Sequence, residues 1–349
     1  MSRFLQLHLL TSYPPANLNR DDLGRPKTAI VGGKQRLRVS SQSLKRAWRQ
    51  APMFKAALAG HIGTRTQQIG VDLFAGLKGK TTAKNAEAWT REVVEVFGKA
   101  QTGDKIGKTE QLVHISPTER AALDALVARL IDEVRGPTPE EKDLLRAEHT
   151  AVDIALFGRM LAASPKHGVD AAAQVAHAIT VHPAQVEDDY FTAVDDLNER
   201  GDTGAGHVGQ AEFGAGVFYL YLCIDRQALL ANLGGDAALA GRALGALVEA
   251  AATIAPGGKQ NSFASRARAS YILAELGDQQ PRSLSVAYLD GLRPSGALLE
   301  EAITALRTTR DRFAQCYEAG ADREAELNAH AGTGRLADVV AFAASGLGA

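Results

Sequence analysis

Aromatic residues make up only 6% of the chain, and cysteine occurs twice, at Cys223 and Cys316. So few aromatics leave little material for a surface that stacks many bases. The two cysteines match no metal spacing and read as small buried hydrophobes in a reducing compartment. No apolar run is long enough for a membrane span. The opening FLQLHLL is interrupted by Gln6 and His8 and lacks a basic leader with an A-x-A-like cleavage site, so it reads as a strand and the protein as cytoplasmic. The motifs G-x-S-x-G, H-E-x-x-H and C-x-x-C are missing, and GGKQ at 257–260 lacks the upstream glycine spacing and K-[ST] pair of a Walker A loop. His177 and His182 are off the i, i+4 spacing that puts two ligands on one helix face. These gaps disfavour hydrolase, nucleotide-hydrolysing and zinc chemistry, and the expectation is no cofactor and no metal.

What the chain does have is charge in one place. Its 349 residues are 45% apolar, enough to bury a core without staples, and the formal net charge is only −1. Yet ten of the 39 Lys/Arg and only two of the 40 Asp/Glu lie in residues 1–50. A near-neutral pI therefore hides a dipolar molecule able to hold a polyanion at one end. After Gly32-Gly33, which permit a tight turn, comes KQRLRVS, where Lys34, Arg36 and Arg38 recur with a period of two and fall on one face of a strand. Ser40 and Ser41 then supply a helix cap. In SQSLKRAWRQ, Gln42, Lys45, Arg46 and Arg49 share a stripe about 100° wide, opposite Leu44, Ala47, Trp48 and Ala51. A helix start with free N–H groups, serines and a basic stripe is a receptacle for phosphates.

Along the rest of the chain, FLQLHLL reads as a half-buried strand with His8 on the sheet surface, and 12–23 as loop. Asp21 and Asp22 are expected to pair with local cations. Residues 54–150 read as a mainly helical insertion, including a helix started by Pro117 and stopped by Gly136-Pro137. VDIALFGRM at 152–160 reads as a strand and DAAAQVAHAIT at 170–180 as a short helix. Two strand-like runs bracket a segment of six glycines between Asp195 and Gly216, which suggests a protruding β-hairpin over 183–216. A helix pair follows, then APGGKQNSFASRARA, where Lys259 and Gln260 sit beside glycines that let backbone N–H groups approach a phosphate. YILAEL and SLSVAYL are expected to complete the sheet, with helix from Ser295 onward.

The blocks LNRDD (18–22), IVGGKQRLRVSSQSLKRAWR (30–49), VDIALFGRM (152–160), AHAIT (176–180), FTAVDDL (191–197) and EFGAGVFY (212–219) together resemble the CasC family, the repeated backbone subunit of type I-E CRISPR Cascade. The resemblance implies an α+β fold: an RRM/ferredoxin-like palm (1–53, 151–182 and 217–349 with its C-terminal helices), helical fingers (54–150) and a β-hairpin thumb (183–216). It implies a CRISPR RNA (crRNA)-binding subunit, not an enzyme, that shows the spacer bases for pairing with target DNA in antiviral defence. The RNA-binding residues would be Arg20, Lys27, Lys34, Arg36, Arg38, Ser40, Gln42, Lys45, Arg46, Arg49, Arg159, Met160, Lys259 and Gln260, with Phe191, His207 and Val208 as a thumb wedge that unstacks a base. Partners would be crRNA, the target strand, about six copies of itself head-to-tail, and CasA, CasB, CasD and CasE. The family's fingers can carry basic residues that meet DNA; here Glu140, Glu141, Asp143 and Glu148 occupy that stretch. Two alternatives stay open. One is a metal-dependent endoribonuclease related to type III backbone subunits, using Asp21 and Asp22 or Asp188, Asp189, Asp195 and Asp196. The other is a generic single-stranded RNA-binding protein, although the RNP1 pattern of an RRM is missing.

Overall fold

The structure is a computed structural model that describes residues 1–146, 150–161, 163–193 and 207–347. The expected CasC-type hairpin tip, with Val194, Asp195 and Asp196, and the Glu148 of the acidic finger stretch lie outside the described residues. In chain order the elements are β1 (Phe4–Ala16), β2 (Thr28–Val31), β3 (Lys34–Val39), α1 (Ser41–Gln50), α2 (Pro52–Ala57), β4 (Thr64–Gln68), α3 (Val71–Leu77), α4 (Ala83–Glu95), β5 (Lys108–Ile115) and α5 (Pro117–Glu133). There follow α6 (Val152–Phe157), β6 (Ala173–Val175), β7 (Ala178–Thr180), β8 (Glu187–Ala193), β9 (His207–Asp225), α7 (Arg226–Asn232) and α8 (Ala237–Thr253). The chain closes with α9 (Gln260–Phe263), β10 (Ala269–Gly277), α10 (Leu298–Cys316), β11 (Arg323–Asn328) and α11 (Leu336–Ala344). The fold is α+β, as expected. One antiparallel sheet runs β11-β10-β1-β9-β7-β3-β2, with β6 and β8 also paired to β9, and β4 and β5 form a separate two-stranded sheet. Among the described residues no helix is long and apolar enough to cross a membrane.

The main sheet is covered on both faces, and this corrects several expectations. Leu5, Leu7 and Leu9 pack with Trp48 of α1 and Leu244 and Leu247 of α8. Leu10, Tyr219, Tyr271 and Leu273 pack on the opposite face with Tyr288, Ile303 and Leu306. β1 is therefore buried on both faces rather than half-buried, and it runs through Pro14-Pro15 to Ala16. His8 is not on the surface: its ring lies 2.9 Å from the Tyr219 hydroxyl and 3.3 Å from Glu275. Burial pushes the His8 imidazole down. Burial alone would push Glu275 up, but His8 and Arg282 hold its carboxyl well below the carboxylate range. The segment 285–288, expected as a strand, is a single 3₁₀ turn laid over this face, and the C-terminal part contains strand β11 among its helices. Cys223 is buried as expected, whereas Cys316 is exposed at the end of α10.

Two further segments change type. VDIALF is the helix α6, because a short apolar run of this length suits a buried helix as well as a buried strand. Residues 173–180 form strands β6 and β7, since pairing with β9 overrides the helical preference of their alanines. The segment over residues 69–145, joined by Leu161, has its own core, with Leu73, Val93, Phe97, Leu123 and Leu130 packed on Ile115, while Val152, Ala155 and Leu156 of α6 belong to the main core. Helix α5 of this segment starts with a complete Ser116/Glu119 capping box.

This second core meets the first at a buried carboxylate. Asp153 of α6 is fully buried; Arg49 of α1 lies 2.8 Å away, His114 Nε2 of β5 2.9 Å away, and the Gly63 N–H donates to it at 2.8 Å. Burial opposes ionisation, but the hydrogen bond and charge of His114, the charge of Arg49 and the Gly63 N–H together hold the carboxyl below its ordinary value. Asp153→Ala leaves Arg49 buried without its partner and is expected to cost about 3–5 kcal/mol in denaturant unfolding. A carboxyl lowered on folding stabilises the protein fully above its unfolded pKa, and that contribution is lost as pH falls through the folded value. Asp153→Asn should therefore flatten the acid limb of the stability profile; a limb as steep as that of the parent protein would disprove this role.

Candidate nucleic-acid interface

The cations of the amino-terminal segment divide into an inward set and an outward set. Helix α1 starts where expected: Ser40 Oγ accepts from the Ser43 N–H at 3.3 Å, so this buried serine caps the helix. Leu44 and Trp48 face the core, while Gln42 and Arg46 are exposed and Lys45 is half-buried with its Nζ 5.9 Å above the Phe157 ring. Arg49 does not belong to the outward stripe; it turns to Asp153 and is buried. Arg36 is likewise removed from the expected face. It is fully buried, donating to the carbonyls of Thr180 and Tyr288 at 2.9 Å, because the turn at 288–290 closes over β3. Lys34, at the exposed tip of the β2–β3 hairpin, donates to the Asp290 carbonyl at 2.7 Å. Arg159 is a third inward cation: it is paired with Glu119 at 2.7 Å, both side chains being buried, and it also donates to the His167 carbonyl. These three arginines serve the fold, and a trough containing all the predicted cations is not what the chain builds.

The remaining cations gather round the loop 17–27. The loop is fastened at several points. Asn17 donates to the carbonyls of Gly24 and Glu212 at 2.9 Å, Asn19 Oδ1 accepts from the Ser40 N–H at 2.9 Å, and Asp21 accepts from the Leu23 and Arg25 N–H groups at 2.9 Å. Asp21 also meets the Arg25 side chain at 3.3 Å, the expected local pairing; the Arg25 N–H is the main cause of its lowered pKa. Gly258 must be glycine here, since a Cβ would lie 2.3 Å from the Leu18 carbonyl oxygen.

Three open depressions adjoin this loop. One of about 940 Å³ lies between Arg20, Ser43, Arg46, Gln50 and Gly258. A second, of about 610 Å³, is lined by Arg25, Lys27 and Arg38 together with Asp21, Asp188 and Glu212. A third holds Arg20, Arg25, Lys259 and Gln210. The Lys27 carbonyl accepts from the Arg38 N–H at 2.8 Å, which sets those two cations side by side. Arg20, Lys27, Arg38, Arg46 and Lys259 thus line depressions that share this loop, and Lys45 acts on the same imidazole, His177, as Lys27 and Arg38. Arg25, which was not among the predicted site residues, lines two of the depressions. Gln260 turns its amide to the Pro256 carbonyl at 2.8 Å and so fastens its own loop. Lys259 adopts a left-handed backbone, φ 45°.

The hairpin of β8 and β9 rises beside this surface. Its arms carry Phe191, 45% exposed, and Val208, 53% exposed, and the Phe191 ring lies across Gly209, where a Cβ would come within 2.3 Å of it. His207 begins β9 opposite Ala193; its side chain lies outside the described residues. At the hairpin base Phe213 packs against Phe263 of α9. Met160, just past α6, is 86% exposed. Among the described residues, no three His, Cys, Asp or Glu side chains gather as a metal site.

An α+β protein with a cationic surface beneath a long hairpin is the class these features define. The chain belongs to the CT1975-like family of Cas proteins, whose model matches residues 5–343. It is similar to a chain of a solved CRISPR RNA-guided surveillance complex described as pre-nicking, with 31% identity and a TM-score of 0.85 over 98% of this chain and 99% of that one. A second CRISPR RNA-guided surveillance complex contains a chain 27% identical, TM-score 0.64, with the same coverage. No curated protein matches.

The two sets of cations predict opposite behaviour on charge reversal. Lys27→Glu with Arg46→Glu should leave the thermal unfolding midpoint within a few degrees of the parent, whereas Arg49→Glu should unfold the chain or lower the midpoint by about 5 °C or more. Equal effects of the two on stability would refute the division.

Proposed function

We propose that this chain is a crRNA-binding backbone subunit of a type I-E surveillance complex, of the CasC kind, with a binding rather than a catalytic role. The observation that carries this reading is the convergence of Arg20, Lys27, Arg38, Lys45, Arg46 and Lys259 around one fastened loop at the base of a hairpin. Guanidinium and ammonium groups held this way bind sugar-phosphate regardless of sequence, as a protein that accepts any spacer requires. The bases remain available to pair with target DNA, so pairing supplies the specificity.

Copies stack head-to-tail on the RNA, and the heterologous contacts generate an open helix that CasA, CasB, CasD and CasE complete and cap. The hairpin of one copy presses on the cationic surface of the next, where Phe191 and Val208 displace one base. Exposed Met160 packs against RNA near Lys45. Asp21, tied to the Leu23 and Arg25 N–H groups, works as a fastener of the loop rather than as a metal ligand.

The test is to purify the chain, look for retained RNA in its ultraviolet spectrum, and measure whether assemblies grow in proportion to added RNA length. With six cations per copy, log Kd should rise with log salt with a slope of about 4, and each Lys→Ala change should lower it by about 0.7. Binding insensitive to salt, or assemblies of fixed size, would refute the reading. Phe191→Ala should retain RNA but change the periodic nuclease ladder of the bound strand; an unaltered ladder removes the wedge.

A further inference from the structure

We propose that His177 is an additional ligand for the RNA backbone: with Lys27, Arg38 and Lys45 it surrounds one phosphate position, and it takes up a proton when the phosphate enters. This deepens the function proposed above and rests on it.

His177 is exposed on the short turn between β6 and β7. Its Nδ1 lies 2.7 Å from Arg38 Nη1. A guanidinium can only donate, so Nδ1 is the acceptor and the neutral ring carries its proton on Nε2. The Arg38 side chain is steadied from the other side by the Thr28 carbonyl, 3.4 Å from its Nε. The charged groups acting on the imidazole come from each neighbouring element: Arg38 from β3, Lys27 from the residue leading into β2, and Lys45 from α1, all of them cations. Partial burial and then these three charges hold the imidazole below its ordinary value. Lys45, against Phe157, is itself lowered by burial.

Without RNA the site is an imidazole held down by partial burial and by the charges of Arg38, Lys27 and Lys45, with Arg38 parked on its Nδ1. A phosphate oxygen accepts from Arg38 in place of Nδ1 and offsets the three positive charges. The Arg38 contact on Nδ1 and the charge repulsion are then removed together. A proton from solvent adds to the Nδ1 lone pair, and the imidazolium N–H donates to the phosphate. No bond to phosphorus forms or breaks. The bound-state pKa lies above the free-state value, so affinity rises as pH falls through the bound value and levels off below the free one.

The experiment measures binding of a labelled homopolymeric RNA between pH about 8 and about 5.5, the range over which histidine titrates. The parent protein should tighten by about three- to tenfold toward low pH. It should also show net proton uptake, seen as a binding heat that varies with the ionisation heat of the buffer. His177→Asn keeps an oxygen for Arg38 but cannot titrate, and it should lose both the tightening and the uptake. In the parent protein, the NMR titration of the His177 imidazole should move to higher pH when pyrophosphate is added. A variant with the full pH response, or an imidazole titration unmoved by pyrophosphate, overturns this proposal while leaving the RNA-binding reading intact. A parent protein that binds RNA at no pH sinks both.

Discussion

The buried carboxylate of Asp153 fixes the position of helix α1 from behind. Three donors from three parts of the chain converge on it: Arg49 from α1, His114 from β5 and the backbone of Gly63. A buried charge is tolerable only when it is paired and hydrogen-bonded, so this arrangement allows few alternatives. It sets the rotation of α1 about its axis, because Arg49 must point inward while Leu44 and Trp48 fill the core. Once that rotation is set, Gln42 and Arg46 have nowhere to face but outward. The free face of α1 is thus a consequence of its anchored face. The same contact joins the core of residues 69–145 to the main sheet, so the helix that faces solvent is also the one that ties the two cores together.

This explains which parts of the site could be read from residue order. The turn-strand-helix succession from Gly32 to Gln50 was legible, because glycines, alternation and a serine cap are local signals, whereas β2 before the turn was not among the expected strands. Which cations face solvent was not legible. Arg36, Arg49 and Arg159 differ from Arg38, Arg46 and Arg20 only in what lies across from them, and those partners are far off in the chain. Asp153 is 104 residues from Arg49, and the Tyr288 carbonyl is 252 residues from Arg36. Spacing alone treats an arginine that neutralises a buried acid and one that faces solvent as the same letter. The swapped assignments at 152–157 and 173–180 have the same origin: short alanine-rich or apolar runs take the state that β9 and the neighbouring helices impose. His177 gave no local signal beyond its place in the AHAIT block.

Clustering cations without partners is unfavourable in the free protein, since like charges a few ångströms apart repel even at the high effective dielectric of a surface. The chain limits that cost in two ways. Asp21 takes up one cation, Arg25, and in doing so shapes the loop. His177 stays neutral and accepts from another, Arg38, which holds the guanidinium ready without adding charge. Asp22, Asp188 and Glu212 also line these depressions, so the cations are only partly offset, and a polyanion gains from the charge that is left. The loop's hydrogen bonds then matter for affinity as well as shape. A surface already ordered loses little side-chain and backbone freedom on binding, so more of the electrostatic gain appears as affinity.

The hairpin follows a different logic. From Val217 to Ile224 strand β9 is largely buried between β1 on one side and β7 and β6 on the other, yet from His207 to Phe213 it pairs with β8, whose residues are all exposed. A two-stranded ribbon with both faces in water has marginal stability of its own. Its apolar residues are nonetheless placed outward: Tyr190, Phe191 and Val208 are exposed, and Phe191 lies over the one neighbour, Gly209, that has no side chain to keep it off the backbone. A ribbon selected only to connect two sheet strands would not need these residues. Among the described residues the hairpin is anchored at its base, through Phe213 on Phe263 and Asn17 on the Glu212 carbonyl. A projecting arm rigid at its root and apolar along its length is suited to reach a neighbouring molecule. On the function proposed above, the cationic surface at that root would supply the charge to hold nucleic acid between the two.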